Sequence, residues 1–140
     1  MVNVSFDFDD TLSNESVQEY AKELIESGIN VYVTTTRYDE VHKLRYIWNP
    51  TIDDLWEVID RLQIPRHRVR FTCMEWKHSY LHRSSFIWHL DDNKEEEDRA
   101  IFHKCSVPII RVDRSQWKQQ CNKLIEDALN AIENGREELS

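Results

Sequence analysis

Five short apolar, β-rich runs punctuate the chain: VNVSFDF (2–8), VYVT (31–34), RVRFT (68–72), FIWHL (86–90) and VPIIRV (107–112). Most of the intervals between them carry apolar residues at helical spacing. Residues 15–27 put Val17, Ala21, Leu24 and Ile25 on one helical face and stop at Gly28, in the position just past a helix end that glycine favours. A helical region follows over 38–62, broken near Asn49-Pro50, where proline ends one helix and can open the next. Residues 94–103 read as a short charged helix, and 115–134 as a last helix with Trp117, Cys121, Leu124, Ile125, Leu129 and Ile132 as its stripe. Strands alternating with helices fold as parallel βαβ units. The chain is therefore predicted to be α/β: a doubly wound, Rossmann-like sheet of five mainly parallel strands with helices on both faces. Pro108 places the fifth run at an edge. One domain is expected over 1–135, with a frayed acidic tail over 136–140.

Composition narrows the function. At 140 residues, one such domain buries roughly 70% of the surface its unfolded chain exposes. A net charge of −8 argues against a general nucleic-acid-coating role, which needs a basic surface. Gly28 and Gly135 are the only glycines, so neither a P-loop nor a dinucleotide-binding glycine loop exists here. Cys73, Cys105 and Cys121 are scattered and odd in number, which reads as buried, inert, reduced thiols of a cytoplasmic protein. No stretch approaches the ~20 apolar residues of a membrane span, and the acidic start does not read as a signal peptide.

In a doubly wound sheet the site lies outside the carboxyl ends of the strands. The first strand ends in Asp7-Phe8-Asp9-Asp10-Thr11, the second in Thr34-Thr35-Thr36-Arg37, and the fourth in Asp91-Asp92-Asn93. Lys77 lies on the return from the third strand to the fourth. Clustered carboxylates repel: at ~4 Å a like-charge pair costs about 4 kcal/mol at an effective dielectric near 20. A hard divalent cation relieves this, and Mg²⁺ prefers one or two carboxylates, waters and a substrate phosphate. An aspartate can attack phosphorus, a second acid can move the proton, and lysine and threonine can hold the equatorial oxygens.

These residues together resemble the haloacid dehalogenase (HAD) superfamily. DFDDT matches its D-x-D-x-T signature after an apolar strand, and VYVTTTR resembles its second motif. Lys77 in FTCMEWK resembles the third motif, and FIWHLDDN the fourth. The four motifs stand in order over residues 2–112. The resemblance implies Asp7 as nucleophile and Mg²⁺ ligand, and Asp9 as general acid/base with its backbone carbonyl on the metal. It implies Asp91 as a metal ligand, with Asp92 acting on the metal through water. Thr35 is the motif-two hydroxyl by analogy with the family's Thr-Ser-Arg and Thr-Gly-Arg endings, with Thr34 and Thr36 as rivals. Lys77 would pair with the phosphoryl group and the nucleophile. Aspartate at both Asp7 and Asp9 is the family's phosphatase pattern, which favours phosphomonoester hydrolysis over carbon–halogen chemistry.

Members of this family often carry a cap, but residues 10–14 and 73–76 are too short to hold one. The expectation is a capless phosphatase whose phosphorylated substrate is a small molecule, a nucleic-acid end or a phosphoprotein, and a homo-oligomer stays open. Arg61, Arg66, Arg68, Arg70, Lys77 and Arg83, with His67, His78 and His82, make 61–83 basic, and Arg37, Lys43 and Arg45 can add to it. A charge run is ordinarily a solvated face; the alternative is a surface that steers an anionic polymer, as in a nucleic-acid 3′-phosphatase. His78 and His82 read as helix surface, His89 as a satisfied core histidine, and Asp10 as a turn residue. Trp48, Trp56, Trp76, Trp88 and Trp117 read as core or sheet-covering, and of these only Trp76, beside Lys77, is a candidate to line the site. Receiver domains share the chemistry but carry their phosphoacceptor on the third strand, and that order rejects them. A HAD-fold binding module without turnover is the remaining alternative.

Overall fold

The computed structural model describes residues 1–39 and 51–139, the last three of these by backbone alone. The strands are β1 (Asn3–Phe6), β2 (Asn30–Thr35), β3 (Val69–Phe71), β4 (Phe86–Asp91) and β5 (Ile109–Arg111). The helices are α1 (Glu15–Glu26), α2 (Asp53–Arg61), α3 (His78–Leu81), α4 (Lys94–Phe102) and α5 (Trp117–Leu139). All strand pairings are parallel, in the order β3-β2-β1-β4-β5. This is the doubly wound α/β sheet the sequence predicts, with β5 on an edge. Of the expected helical region over 38–62, α2 is the described part; Asn49-Pro50, Trp48, Lys43 and Arg45 lie outside the described residues. Among the described residues no helix is long and apolar enough to cross a membrane.

Alternation along the strands builds the main core. Val4 and Phe6 of β1, Val31 and Val33 of β2, and Trp88 and Leu90 of β4 point to one face. There they meet Val17, Tyr20 and Ala21 of α1, Leu55 and Ile59 of α2, and Cys121 and Ile125 of α5. Trp88 is its centre, fully buried, edge-on to Phe6 at 5.3 Å and donating from Nε1 to the Cys121 carbonyl at 3.1 Å. α1 ends as glycine predicts. Gly28 takes φ +86°, its N–H bonds the Ile25 carbonyl at 3.0 Å, and the Ile29 N–H bonds the Leu24 carbonyl at 3.0 Å.

The second face carries a smaller apolar cluster, Leu81 of α3 with Phe86 and Val107, flanked by Tyr32. A bulge in β4 makes this possible: Asn3 pairs with Phe86 but Ser5 with His89, so β4 has one extra residue. Phe86 and His89 thereby share the second face although they are three apart, while Trp88 and Leu90 serve the first.

α5 departs from expectation at its far end. It continues through Gly135 to Leu139, where the sequence predicts a frayed tail. One glycine costs a helix only about 1 kcal/mol, and Arg136, Glu137, Glu138 and Leu139 are strong helix formers. A 23-residue helix is about 34 Å long, well beyond strands of at most six residues. Leu129 and Ile132 of the expected stripe therefore stay exposed, while Cys121 and Ile125 are buried. The cysteines are free; Cys121 alone is buried, and Cys73 and Cys105 are half-buried, not buried as expected.

Trp88→Ala should cost about 3–5 kcal/mol of unfolding free energy in urea titrations, whereas Leu129→Ala should cost less than about 0.5 kcal/mol. Similar losses at the two positions would contradict this division between core and overhang.

Candidate active site

The chain builds β1, β2 and β3 toward one edge, then crosses to build β4 and β5 on the other side of β1. The topological switch lies between β1 and β4, and a crevice opens there at the carboxyl ends of the strands. Asp7 follows β1 and Asp91 ends β4; the Asp7 N–H donates to the Leu90 carbonyl at 2.8 Å, fixing the two strand ends side by side.

The turn after β1 positions Asp7. The Leu12 N–H bonds the Asp7 carbonyl at 3.1 Å and the Ser13 N–H bonds the Phe8 carbonyl at 2.9 Å, a wide turn closed over five residues. Asp10 sits in it at φ +57°, a left-handed conformation that a short polar side chain tolerates and glycine favours. The turn also brings the Thr11 hydroxyl to donate to Asp7 Oδ2 at 3.2 Å.

A second device delivers Lys77. After β3, Cys73 and Met74 both take positive φ, and the Met74 N–H bonds the Thr36 carbonyl at 2.6 Å, turning the chain back over the rim. Lys77, at the start of α3, is 3% exposed. Its Nζ donates to Asp7 Oδ1 at 2.6 Å and to Asp91 Oδ2 at 2.7 Å.

One ammonium cannot balance these buried acids. Burial drives the Asp7 carboxyl well above the usual carboxylate range; Lys77 opposes that shift and the neighbouring Asp91 adds to it. For Asp91 burial acts in the same upward direction, but hydrogen bonds from His89 and Lys77 outweigh it and hold the group below the usual range. Burial would lower Lys77, yet Asp7 and Asp91 overcome it and raise the ammonium above its ordinary value. Oxygens of Asp7, Asp91 and Asp92 lie within 4.8 Å of one another. That all-oxygen, acid-rich donor set fits a hard divalent cation, which would supply the missing positive charge.

Glu96 is a further buried acid here. Its Oε1 accepts the Lys77 N–H at 3.2 Å; its Oε2 lies 4.0 Å from Nζ and has no hydrogen-bond partner. Burial raises its pKa, with Lys77 pulling the other way. Asp7, Asp9, Asp10, Thr36, Lys77, Asp91, Asp92, Asn93 and Glu96 line a cleft of about 150 Å³. At about 30 Å³ per water, it has room for a phosphoryl group and a few waters. Roomier grooves, about 520 Å³ between α1 and α2 and about 810 Å³ under α5, carry no such convergence of buried acids.

Asp9 lines the cleft but is held by Arg37. Its carboxylate takes two hydrogen bonds from Arg37, 3.0 Å from Nε and 2.7 Å from Nη2. The same guanidinium binds Asp54 at 2.7 and 2.9 Å and lies over the Phe8 ring at 5.0 Å. The three threonines separate clearly. Thr34 and Thr35 are fully buried, with Thr34 2.9 Å from the Ser5 hydroxyl and Thr35 Oγ1 accepting the Arg37 N–H at 3.3 Å. Thr36 lines the cleft.

The basic run behaves mostly as structure. Arg61 donates to Gln18, Arg66 pairs with Asp60 at 2.6 Å and covers Trp56, Arg68 covers Tyr32, and Arg70 covers Phe86. Arg99 covers Trp76, which is not among the cleft residues. His78 stacks flat on His103 at 4.2 Å, and His82 Nδ1 accepts the Ser106 N–H at 2.9 Å.

His89 is the satisfied core histidine expected, but one of its partners is Asp91: its Nε2 lies 2.8 Å from Asp91 Oδ2 and its Nδ1 2.9 Å from Ser5 Oγ. Ser5, Glu96 and Asp54 complete the surroundings and were not singled out by sequence, whereas Arg37 was read there only as part of the basic charge. A serine midway along an otherwise apolar strand was the available signal, since a buried hydroxyl requires a partner. No protein-family model, curated protein or solved structure matches the chain. The site's own chemistry therefore has to carry its function.

Burial lowers the His89 pKa against the pull of Asp91. Unfolded chains take up this proton below about pH 6.5 while the folded chain resists it, so His89 contributes stability that is lost as pH falls. Asp7 acts in the opposite sense and His78, also lowered, in the same one, but both are common to wild type and His89→Gln. The stability gap between wild type and His89→Gln in cation-free buffer should thus narrow from pH 7 to pH 5. Urea titrations at the two pH values check this; a constant or widening gap contradicts it.

Proposed function

We propose that this protein is a Mg²⁺-dependent phosphomonoester hydrolase of the haloacid dehalogenase type, with Asp7 as its nucleophile. The observation that carries the reading is the Asp7 carboxylate at the switch-point crevice, against the buried Lys77 ammonium and beside the Asp91–Asp92 pair. Support also comes from where the four motif segments fall. Asp7 directly follows β1, Thr35 ends β2, Lys77 directly precedes α3 and Asp91 ends β4.

In the first step an Asp7 carboxylate oxygen attacks phosphorus and forms an aspartyl-phosphate, while the ester P–O bond breaks. Asp9, protonated, gives its proton to the departing alkoxide oxygen. In the second step Asp9 takes a proton from water, the water oxygen attacks phosphorus, and the bond to Asp7 breaks to release inorganic phosphate. Lys77 lies against Asp7 and holds an equatorial phosphoryl oxygen, where negative charge spreads in the transition state. A threonine hydroxyl at the end of β2 holds another, and Thr36 is the one that lines the cleft. Mg²⁺ would be held by Asp7, Asp91 and Asp92 with the Asp9 carbonyl, and would supply the charge that lets a carboxylate approach a phosphate dianion.

For its part Asp9, already at the cleft, must leave Arg37 to reach the leaving-group oxygen. Asp54 holds the other edge of that guanidinium, so Arg37 keeps an anionic partner when Asp9 leaves. This keeps the cost of the movement low, because no buried cation is stranded. The small, acid-lined cleft suits a phosphate at an accessible position of its substrate. Arg66, Arg68 and Arg70 of the basic run lie against the protein's own aromatic and acidic groups, so they add no support to a nucleic-acid end over other phosphate carriers.

Purified protein should hydrolyse a generic aryl phosphate with Mg²⁺ and lose this activity on chelation. Asp7→Asn should lower kcat by about a thousandfold or more, and Lys77→Met by about 10²–10³-fold. Hydrolysis undiminished in Asp7→Asn would refute the reading. So would a lack of Mg²⁺-dependent hydrolysis on the aryl phosphate and on phosphorylated oligonucleotides, peptides and small molecules.

A further inference from the structure

Behind the cleft, the second face of the sheet buries three polar side chains in the middle of its strands. Ser5 of β1, Thr34 of β2 and His89 of β4 are all fully buried. Such groups are costly unless their donors and acceptors are met. Here they meet one another in a line: Thr34 Oγ1 to Ser5 Oγ at 2.9 Å, Ser5 Oγ to His89 Nδ1 at 2.9 Å, and His89 Nε2 to Asp91 Oδ2 at 2.8 Å.

The acceptor at the end fixes the direction of every bond. An ionised Asp91 can only accept, so His89 Nε2 carries the hydrogen and donates. Nδ1 of the neutral ring then accepts from the Ser5 hydroxyl, and the Ser5 oxygen accepts from Thr34. The β4 bulge makes the geometry, because it sets Ser5 opposite His89. Strand alternation then places His89 two residues below Asp91 on the same face.

Asp91 is consequently held by three donors. Lys77 Nζ and His89 Nε2 share Oδ2, and the Asn93 N–H donates to Oδ1 at 3.0 Å. Lys77 has a second carboxylate to serve, whereas among the described residues the His89 Nε2 and the Asn93 N–H bond no acid but Asp91. A carboxylate's terminal torsion is broad and soft on its own, and a fixed donor behind it removes that freedom before any ligand arrives.

We propose that His89, set by Ser5 and Thr34, is a positioning residue that holds the Asp91 carboxylate ready to receive a divalent cation shared with Asp7 and Asp92. The role rests on the reading of Asp91 as a cation ligand. Outer partners of this kind typically change cation affinity by ~10–100-fold when removed.

Mg²⁺ titrations of the full chain by isothermal calorimetry test it. His89→Phe keeps the ring's bulk but not its donor, and should weaken Mg²⁺ binding by ~10–100-fold. His89→Gln, whose amide can donate to Asp91, should restore affinity to within about threefold of wild type. Ser5→Ala should fall between them, and it decides the matter if His89→Phe does not fold. A merely structural role would lower the thermal midpoint while leaving Mg²⁺ affinity unchanged in both His89→Phe and Ser5→Ala, and that result overturns the proposal. Asp91→Asn separates the two layers. Undiminished Mg²⁺ binding there removes the cation reading itself, and the positioning role with it. Binding lost in Asp91→Asn but kept in His89→Phe and Ser5→Ala removes the positioning role alone.

Discussion

Lys77 Nζ lies 2.6 Å from Asp7 and 2.7 Å from Asp91, with almost no access to water. Two strand ends that are adjacent in the sheet but 84 positions apart in sequence present carboxylates to each other here, and the ammonium makes that tolerable. Removing one partner of a buried ion pair ordinarily costs 3–5 kcal/mol, because the other charge is left uncompensated. The wide turn after β1, the double left-handed turn after β3 and the closing of α3 over the second face all serve to put this one nitrogen between those two carboxylates. Even so, the charges do not balance, and Asp7 bears the deficit. That residual imbalance makes the cleft a place for a cation and an anion together.

The two faces of the sheet divide the work. The first is aliphatic and aromatic, gathers α1, α2 and α5, and supplies most of the buried apolar area. The second has a modest apolar cluster and gives its middle to Ser5, Thr34 and His89. Hydrogen bonds in so dry an environment gain strength, and they also exact a high cost if any member is lost. The second face thus trades packing for orientation, and what it orients is Asp91. At the rim, Arg37 applies the same economy to Asp9, holding it with two hydrogen bonds while Asp54 shares the guanidinium.

The sheet and the principal acids were legible in sequence because strand ends leave a local trace. Apolar runs terminated by Asp7, by Thr34-Thr35-Thr36 and by Asp91-Asp92 need no knowledge of tertiary contacts. Gly28 and Asp10 were likewise readable, since their backbone conformations restrict residue type. What escaped was long-range. Counting in twos from Phe86 puts Trp88 and Leu90 on its face and His89 on the other; the bulge inverts this, and a bulge leaves no mark in a single sequence. Glu96 looked like one more acid in a charged helix until its neighbour proved to be Lys77. The basic run read as a charged face, solvated or anion-steering; what sequence could not show is that Arg66, Arg68 and Arg70 lie against Asp60, Trp56, Tyr32 and Phe86, partners that only the fold brings near. α5 outran its predicted end because a single glycine is a weak stop signal when helix formers follow.

The central claim is that Asp7 becomes covalently phosphorylated during turnover. Rapid acid quenching of a turning-over reaction, followed by proteolysis and mass spectrometry, addresses it directly, since acyl phosphates survive acid and are cleaved by hydroxylamine. The account predicts a phosphoryl group on the peptide containing Asp7, present only with substrate and Mg²⁺ and lost on hydroxylamine treatment. Phosphate released with no such adduct at any quench time, or an adduct on a different residue, would contradict it.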